Sequence, residues 1–177
     1  YIPGYFGKYP ILRMGGKLVY AEDTADVCLE YQSLCFLQEY IFKKYLSDVD
    51  YAYEFGCGTG HNLMRVSWAN QKLNGICGLD WVDTSLKSVD SLNKVIKNIS
   101  SKKFNMFDPD FDFKLERNNA VITMASMEQL GTNFQNFVSY LLKNKPKYVI
   151  HIEPINELLS PDNLLDYLSI KYAEKRN

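Results

Sequence analysis

The sequence lacks long apolar runs, and its charges nearly balance. It carries 20 basic and 21 acidic side chains in 177 residues, for a net charge of −1. The sequence therefore has no excess of basic residues that would predict binding to nucleic acid or to anionic membranes. No stretch approaches the roughly 18 apolar residues of a membrane span. We expect a small-molecule partner, and neither a nucleic-acid nor a membrane partner.

Cysteine and histidine are also scarce, with four and two residues. The cysteines show no C-x-x-C spacing, which predicts reduced thiols and a cytoplasmic location. Three aspartates alternate over residues 108–112. Oxygen ligands of this kind suit magnesium or calcium, but no partner group is evident elsewhere in the sequence. We interpret this run as a solvated loop and predict no metal site.

Composition predicts one globular domain, because 46% of the residues are hydrophobic and the chain is long enough to bury a core. Residues 1–20 contain six glycines and prolines, which predicts an arm without regular structure. A helix is predicted from about residue 24 to 46, with Asp23 or Thr24 as its cap. We expect residues 1–47 to form an N-terminal arm and capping helix, and residues 48–177 to form the ligand-binding part.

Five apolar segments alternate with helical patterns after residue 50. This order predicts an α/β fold: a Rossmann-like, doubly wound and mainly parallel sheet with helices on both faces. Ligands bind such sheets at the carboxyl ends of the strands. The predicted strands are Tyr51–Phe55, Gly75–Asp80, Lys103–Phe107, Asn119–Ser126 and Lys147–Ile152.

A glycine-rich loop follows the first of these strands, in the order Glu54-Phe55-Gly56-Cys57-Gly58-Thr59-Gly60-His61. Glycines leave no Cβ on the ligand side and permit positive φ where the chain reverses. A dinucleotide fingerprint would need a third glycine at position 61, where His61 stands. With its preceding acid, the stretch resembles the first motif of the class I S-adenosylmethionine-dependent methyltransferases.

The resemblance implies S-adenosyl-L-methionine as the cofactor and gives the loop residues their roles. Glu54 would engage the methionine end of the cofactor. The glycines at 56, 58 and 60 would make room for its amino-acid and ribose parts, with Cys57 and His61 belonging to the same loop. The helix N-terminus disfavours a charged His61, which we interpret as part of the loop rather than as a base. The setting of Cys57 favours a thiolate, but we assign it no chemistry.

Asp80 ends the second predicted strand about 20 residues after the loop, where a carboxylate can accept both ribose hydroxyls of a nucleoside. The alternative is an acid at the start of the next helix. Trp81 could lie against the adenine face or be an ordinary buried aromatic. By resemblance, Asn105 and Met106 would meet the adenine edge, and Ala125 would lie where a strand ends over the transferring methyl group.

Methyl transfer also needs a group that accepts the proton of the methylated atom. The candidates are Glu128, His151 and Glu153. Each has a structural alternative: His151 could be a core histidine, and the two glutamates could be acids at helix starts.

The acceptor is predicted to be a small molecule. No Asn-Pro-Pro-Tyr sequence follows the fourth predicted strand, unlike in methyltransferases that resemble those acting on adenine or glutamine amides. We expect an oxygen, such as a sugar hydroxyl, or a nitrogen. The opening Tyr53–Gly60 and the stretch His151–Ile155 are similar to methyltransferases of sugar and surface-polysaccharide pathways. The alternatives are an NAD(P)-dependent oxidoreductase and a non-catalytic, methyltransferase-like partner subunit.

The fifth predicted strand is strongly apolar and should lie inside the sheet. Both of its sides therefore need a hydrogen-bonded neighbour. The class I fold normally adds an antiparallel hairpin at this point. We expect one or two further strands beside the fifth, or a strand from a second molecule in a homodimer.

Overall fold

The computed structural model describes residues 11–15, 17–20 and 28–176. The chain divides into two compact units. One consists of Tyr1–Tyr40 together with Ile155–Asn177, and the other of Ile41–Pro154. The expected division at residue 47 stays a prediction.

The second unit contains a five-stranded sheet and the helices between its strands. Along the whole described chain, the strands are β1 (Ile11–Met14), β2 (Lys17–Tyr20), β3 (Tyr51–Phe55), β4 (Gly75–Asp80), β5 (Ile99–Lys103), β6 (Asn119–Met124) and β7 (Tyr148–Ile152). The helices are α1 (Leu29–Tyr45), α2 (His61–Ala69), α3 (Asp83–Asn93), α4 (Gln135–Asn144) and α5 (Leu164–Arg176). Short 3₁₀ turns span Met127–Leu130 and Asn156–Leu158.

The five strands are all parallel and lie in the order β5-β4-β3-β6-β7. The chain therefore builds outward from β3 in one direction, then crosses to the other side of β3 for β6 and β7. A crevice opens at such a reversal, outside the carboxyl ends of the strands. The predicted Rossmann-like fold is confirmed.

Apolar clusters cover both faces of the sheet. On one face, Leu63 and Val66 of α2 and Val89 of α3 pack against β3, β4 and β6. On the other, Phe137 and Tyr140 of α4 pack around Phe55 of β3, with ring centroids 4.9 and 5.9 Å from it. Since β3, β4 and β6 bury side chains on both faces, their apolar runs predicted them well.

Three predictions of local structure are wrong. Residues 11–14 and 17–20 form two antiparallel strands, in which Ile11 is paired with Tyr20, rather than an irregular arm; residues 1–10 and residue 16 lie outside the described chain. The third strand of the sheet is β5, and Lys103–Phe107 mostly follows it as a loop. The sequence predicts Ser160 as the N-cap of the last helix and Pro161 as its first residue. The helix instead begins at Leu164, where Asn163 Oδ1 accepts hydrogen bonds from the N–H groups of Leu165 and Asp166.

The long helix is confirmed from Leu29, but its predicted caps lie outside the described residues. β7 forms one edge of the sheet in the described chain, and its exposure alternates along the strand, with Val149 41% exposed. The further strands expected beside it stay a prediction. None of the helices within the described ranges is long and apolar enough to span a membrane.

Candidate functional site

A cavity of about 230 Å³ lies at the carboxyl ends of β3, β4 and β5. It is bounded by the glycine loop, by the segments that follow β4 and β5, and by the 3₁₀ turn after β6. Its lining residues are Gly56, Gly58, Asp80, Trp81, Val82, Ser85, Phe104, Asn105, Met106, Phe107, Ser126, Gln129 and Leu130. The structure thus places six of the predicted cofactor residues around one space.

The glycine loop is held against β4 by its own backbone. The N–H groups of Gly56 and Cys57 both donate to the carbonyl of Leu79, at 2.8 and 3.1 Å. Gly56 has φ 72° and Gly58 has φ 53°, conformations that side chains disfavour. A Cβ at Gly56 would lie 2.4 Å from the Cβ of Ser126, whereas one at Gly58 would meet nothing within 4 Å. The loop therefore needs glycine at 56 for packing and leaves open space beside 58.

Asp80 connects this loop to the end of β4. Its Oδ2 accepts the N–H of Gly58 and its Oδ1 accepts the N–H of Val82, both at 2.9 Å. The side chain is buried, with 8% exposed. An ionised carboxylate offers about four lone-pair sites, so two remain for donors in the cavity. Asp80 lies just before α3. Its position therefore fits both a carboxylate that binds ribose and an acid at the start of the next helix.

An aromatic ledge of Trp81 and Phe107 flanks Asp80. Trp81 is 59% exposed, and its ring centroid lies 5.9 Å from that of Phe107. Of the two interpretations that the sequence left open for Trp81, the ordinary buried aromatic is therefore wrong. Asn105 and Met106 line the same cavity from the loop after β5, and Asn105 Oδ1 accepts the N–H of Phe107 at 3.0 Å. This bond fixes the loop and leaves the amide nitrogen of Asn105 available to the cavity.

Glu54 lies beneath the loop rather than in the cavity lining. It is 1% exposed, and its Oε1 accepts a hydrogen bond from Asn62 Nδ2 of α2 at 2.7 Å. Its Oε2 is buried without a partner among the described residues. Burial raises the pKa of Glu54 to about 8; Asn62 lowers it and nearby Asp80 raises it. The buried setting therefore favours the uncharged form of the Glu54 carboxyl.

Two other loop residues do not line the cavity. Cys57 is buried, and burial raises the pKa of its thiol, so the expectation of a thiolate is wrong. His61 is half-buried at the start of α2, with Nδ1 3.4 Å from Thr59 Oγ1. Burial and the neighbouring Arg65 lower the pKa of His61, which agrees with a neutral ring. Gly60 is the N-cap of α2 and also lies outside the lining.

The 3₁₀ turn Met127–Leu130 closes one side of the cavity. Ser126 is buried and donates from Oγ to the carbonyl of Phe55 at 2.9 Å. Glu153 Oε1 accepts the N–H groups of Ser126 and Met127, at 3.3 and 3.2 Å. Glu153 therefore caps the turn, and its Oε2 is buried without a partner among the described residues. Ala125, with φ 49°, is exposed and donates its N–H to the carbonyl of Ile152.

The other two candidate proton acceptors lie on this turn and on β7. Glu128 is exposed, and its carboxylate makes no hydrogen bond or ion pair with the described residues. His151 is exposed on β7, so the expectation of a core histidine is wrong. Its Nδ1 lies 2.7 Å from Oγ1 of Thr123 on β6. Burial of part of the ring lowers the pKa of His151, and Glu153 raises it.

Several lining residues were not identified from the sequence. Ser85 lies in α3 and Gln129 in the 3₁₀ turn, where Nε2 of Gln129 donates to the carbonyl of Ala125. Neither belongs to a motif, and only the three-dimensional fold brings them to the cavity. The aspartates of residues 108–112 are exposed in a loop. Within the described ranges, no three side chains of histidine, cysteine or acid are placed to hold a metal ion.

No protein-family model and no curated protein matches the chain. Solved structures do. The methyltransferase domain of bacterial CtHen1 aligns with a TM-score of 0.59 and 20% identity, over 82% of this chain and 84% of that one. YcgJ from Bacillus subtilis aligns with a TM-score of 0.51 and 11% identity, over 62% of this chain and 46% of that one. The [4+2]-cyclase SpnF aligns with a TM-score of 0.54 and 14% identity, over 70% of this chain and 43% of that one.

This chain thus spans less than half the length of YcgJ and of SpnF, but most of the CtHen1 domain. At these identities the likeness concerns the fold. The chain has the Rossmann-like fold of class I S-adenosylmethionine-dependent methyltransferases, a fold that SpnF uses for a cyclase.

Proposed function

We propose that the protein is an S-adenosylmethionine-dependent methyltransferase. Its acceptor is a small molecule, methylated on an oxygen such as a sugar hydroxyl, or on a nitrogen. The observation that best supports this proposal is the position of Asp80. This residue is hydrogen-bonded to the glycine loop and flanked by the Trp81–Phe107 ledge in one cavity. A carboxylate, bare backbone and an exposed aromatic face together suit the ribose and the base of a nucleoside.

The residues of the cavity fit this cofactor. Asp80 retains acceptor capacity for two ribose hydroxyls, and the ledge offers a face on which adenine can stack. The open space beside Gly58 admits the chain that links ribose to sulfur. The cavity has a volume of about 230 Å³, just below the roughly 300–1,000 Å³ of small-molecule sites.

Glu54 would act at the methionine end from beneath the loop. Its buried, unpartnered Oε2 has hydrogen-bonding capacity that no described residue uses. An amino group of the cofactor can supply the missing partner. When bound, the cofactor provides a methyl group activated by the positive charge on sulfur.

The protein's part in the transfer is to orient the acceptor and to take up its proton. Glu153 is committed to the cap of the 3₁₀ turn. Glu128, in contrast, is an exposed carboxylate on the turn whose next two residues line the cavity. We therefore favour Glu128 as the proton acceptor. The similarity of two sequence stretches to enzymes of surface-polysaccharide pathways favours a sugar hydroxyl as the acceptor.

Calorimetric titration with S-adenosylhomocysteine and with NAD tests the cofactor. We expect S-adenosylhomocysteine to bind and NAD not to bind. Asp80→Asn should weaken the binding of S-adenosylhomocysteine by about 1–3 kcal/mol, because charge-assisted bonds to ribose are lost. Asp83→Asn is the matched control, since Asp83 is an exposed acid three residues away that pairs with Lys103 at 2.8 Å. It should leave the affinity unchanged.

Binding of NAD alone would replace the proposal with an oxidoreductase. Equal affinities for Asp80→Asn and the control would place the ribose elsewhere. Transfer itself is tested by incubating cell extracts with the protein and a cofactor labelled in its methyl group, followed by mass spectrometry. Binding of S-adenosylhomocysteine without any labelled product would favour a non-catalytic partner subunit.

A further inference from the structure

Thr123 and His151 form a pair on β6 and β7, the strands that lead into the turn Met127–Leu130 and into Glu153. They are register neighbours on the parallel strands β6 and β7, and Oγ1 of Thr123 lies 2.7 Å from Nδ1 of His151. Thr123 is 0% exposed, whereas His151 is exposed. One end of the imidazole ring is thus fixed from within the sheet, and the other faces away from this contact.

The hydrogen atoms of this pair can be assigned from their surroundings. The Thr123 hydroxyl has one hydrogen, and Nδ1 of His151 is its only hydrogen-bond partner among the described residues. If the hydroxyl accepted a hydrogen from Nδ1, its own hydrogen would be buried without a partner, which costs about 1–3 kcal/mol. Donation from Thr123 to Nδ1 avoids this cost. The neutral ring then carries its hydrogen on Nε2.

The position of the pair relates His151 to the acceptor. Glu153 follows two residues later, just beyond the end of β7, and accepts the N–H of Ser126, a residue that lines the cavity. His151 therefore lies two residues before the side chain that caps the turn Met127–Leu130. The lone pair at Nδ1 is occupied by the Thr123 hydroxyl, so the neutral ring has no free lone pair with which to accept a proton.

We propose that Thr123 is a positioning residue that holds His151 as an Nε2–H hydrogen-bond donor to an oxygen of the acceptor. His151 is then a residue of acceptor specificity and not the general base. The acceptor class it selects carries a second oxygen, such as a ring or hydroxyl oxygen, near the methylated atom. The inference rests on the proposed function for the identity of the acceptor, but the tautomer of His151 does not depend on it.

Nuclear magnetic resonance of protein labelled with ¹⁵N in histidine tests the tautomer directly. The chain has only two histidines, and His61→Gln assigns the signals. At a pH where the ring is neutral, long-range ¹H–¹⁵N correlations should show the Nε2–H form of His151. Thr123→Val keeps the shape but removes the donor, and should increase the Nδ1–H form and raise the pKa of His151. Thr123→Ser should restore the wild-type pattern.

Activity provides the second measurement. With an extract that yields labelled product, Thr123→Val should lower the rate about tenfold while leaving the affinity for S-adenosylhomocysteine unchanged, and Thr123→Ser should recover most of the rate. A wild-type His151 in the Nδ1–H form, or a Thr123→Val protein with the wild-type tautomer, would overturn the inference. Absence of S-adenosylhomocysteine binding together with the expected tautomer would instead overturn the proposed function.

Discussion

Glu54 is a carboxyl group that the fold keeps from water almost completely. Its only hydrogen-bond partner among the described residues is Asn62, 2.7 Å away, and the neighbouring Asp80 adds negative potential. A neutral carboxylic acid tolerates this setting better than a carboxylate does. The pKa of Glu54 is therefore raised from 4.5 to about 8, and the residue is a source of pH-dependent stability.

The sign of this dependence follows from proton linkage. Between pH 4.5 and about 8 the folded protein retains the Glu54 proton that the unfolded chain loses, so the free energy of unfolding falls as pH rises. The two histidines, with lowered pKa values, contribute the opposite sign near pH 6. Comparing wild type with Glu54→Gln isolates the contribution of Glu54 to the pH dependence of the free energy of unfolding. Relative to wild type, this variant should gain on the order of 3–5 kcal/mol of stability between pH 5 and pH 8.5.

Urea denaturation at pH 5, 7 and 8.5 measures this difference. Glu157→Gln serves as the control, because Glu157 is an exposed acid of the turn Asn156–Leu158. It should follow the wild-type curve. A constant difference between Glu54→Gln and wild type across this pH range would mean that Glu54 ionises normally inside the fold.

At the scale of elements, the glycine loop and the 3₁₀ turn interlock. Ser126 donates to the carbonyl of Phe55 and packs against the backbone of Gly56. Gly56→Ala would introduce a methyl group 2.4 Å from the Cβ of Ser126 at φ 72°, whereas Gly58→Ala meets only the strain of its φ of 53°. We expect Gly58→Ala to cost about 1 kcal/mol of stability and Gly56→Ala about 2–4 kcal/mol.

A double-mutant cycle separates the clash from the strain. Ser126→Gly removes the contacting Cβ, so adding it to Gly56→Ala should recover the part of the loss that is due to the clash. Denaturant midpoints of the four proteins give the coupling energy. Additive effects of the two substitutions would contradict the interlock and leave backbone strain as the whole cause.

Some elements of the fold could be predicted from the sequence, and others could not. Strands β3, β4 and β6 were predicted because burial on both faces requires continuous apolar runs. β5 was missed because Ile99 is its only apolar residue, while Phe104 and Phe107 just beyond it suggested a strand there. Charged, polar edge strands carry little periodicity from which to predict them.

The residues of the candidate site also differ in whether the sequence identifies them. Asp80 and the glycines were identified because a motif ties them to one loop and one strand end. Ser85, Gln129 and Thr123 were not, because strand register and the path of the 3₁₀ turn determine their positions. The exposure of Trp81 could not be predicted either, because the sequence does not show on which side of a loop an apolar side chain lies.

For the whole molecule, the apolar core lies in one part of the chain. Both clusters that cover the sheet consist of residues within Ile41–Pro154. The cavity and its lining belong to the same unit. Apolar burial supplies most of the free energy of folding. The sheet, its helices and the cavity should therefore not depend on the β1–β2 hairpin or on α5.

We accordingly predict that a fragment of residues 28–154, which keeps α1 whole, folds cooperatively and binds S-adenosylhomocysteine within about threefold of the full chain's affinity. Circular dichroism during urea denaturation, followed by calorimetry, measures both properties. The matched control ends at residue 146 and so removes β7, which leaves the apolar β6 as an unpaired edge. This shorter fragment should aggregate or unfold without a sharp transition. A 28–154 fragment that behaves like the control would show that the remaining segments stabilise the sheet.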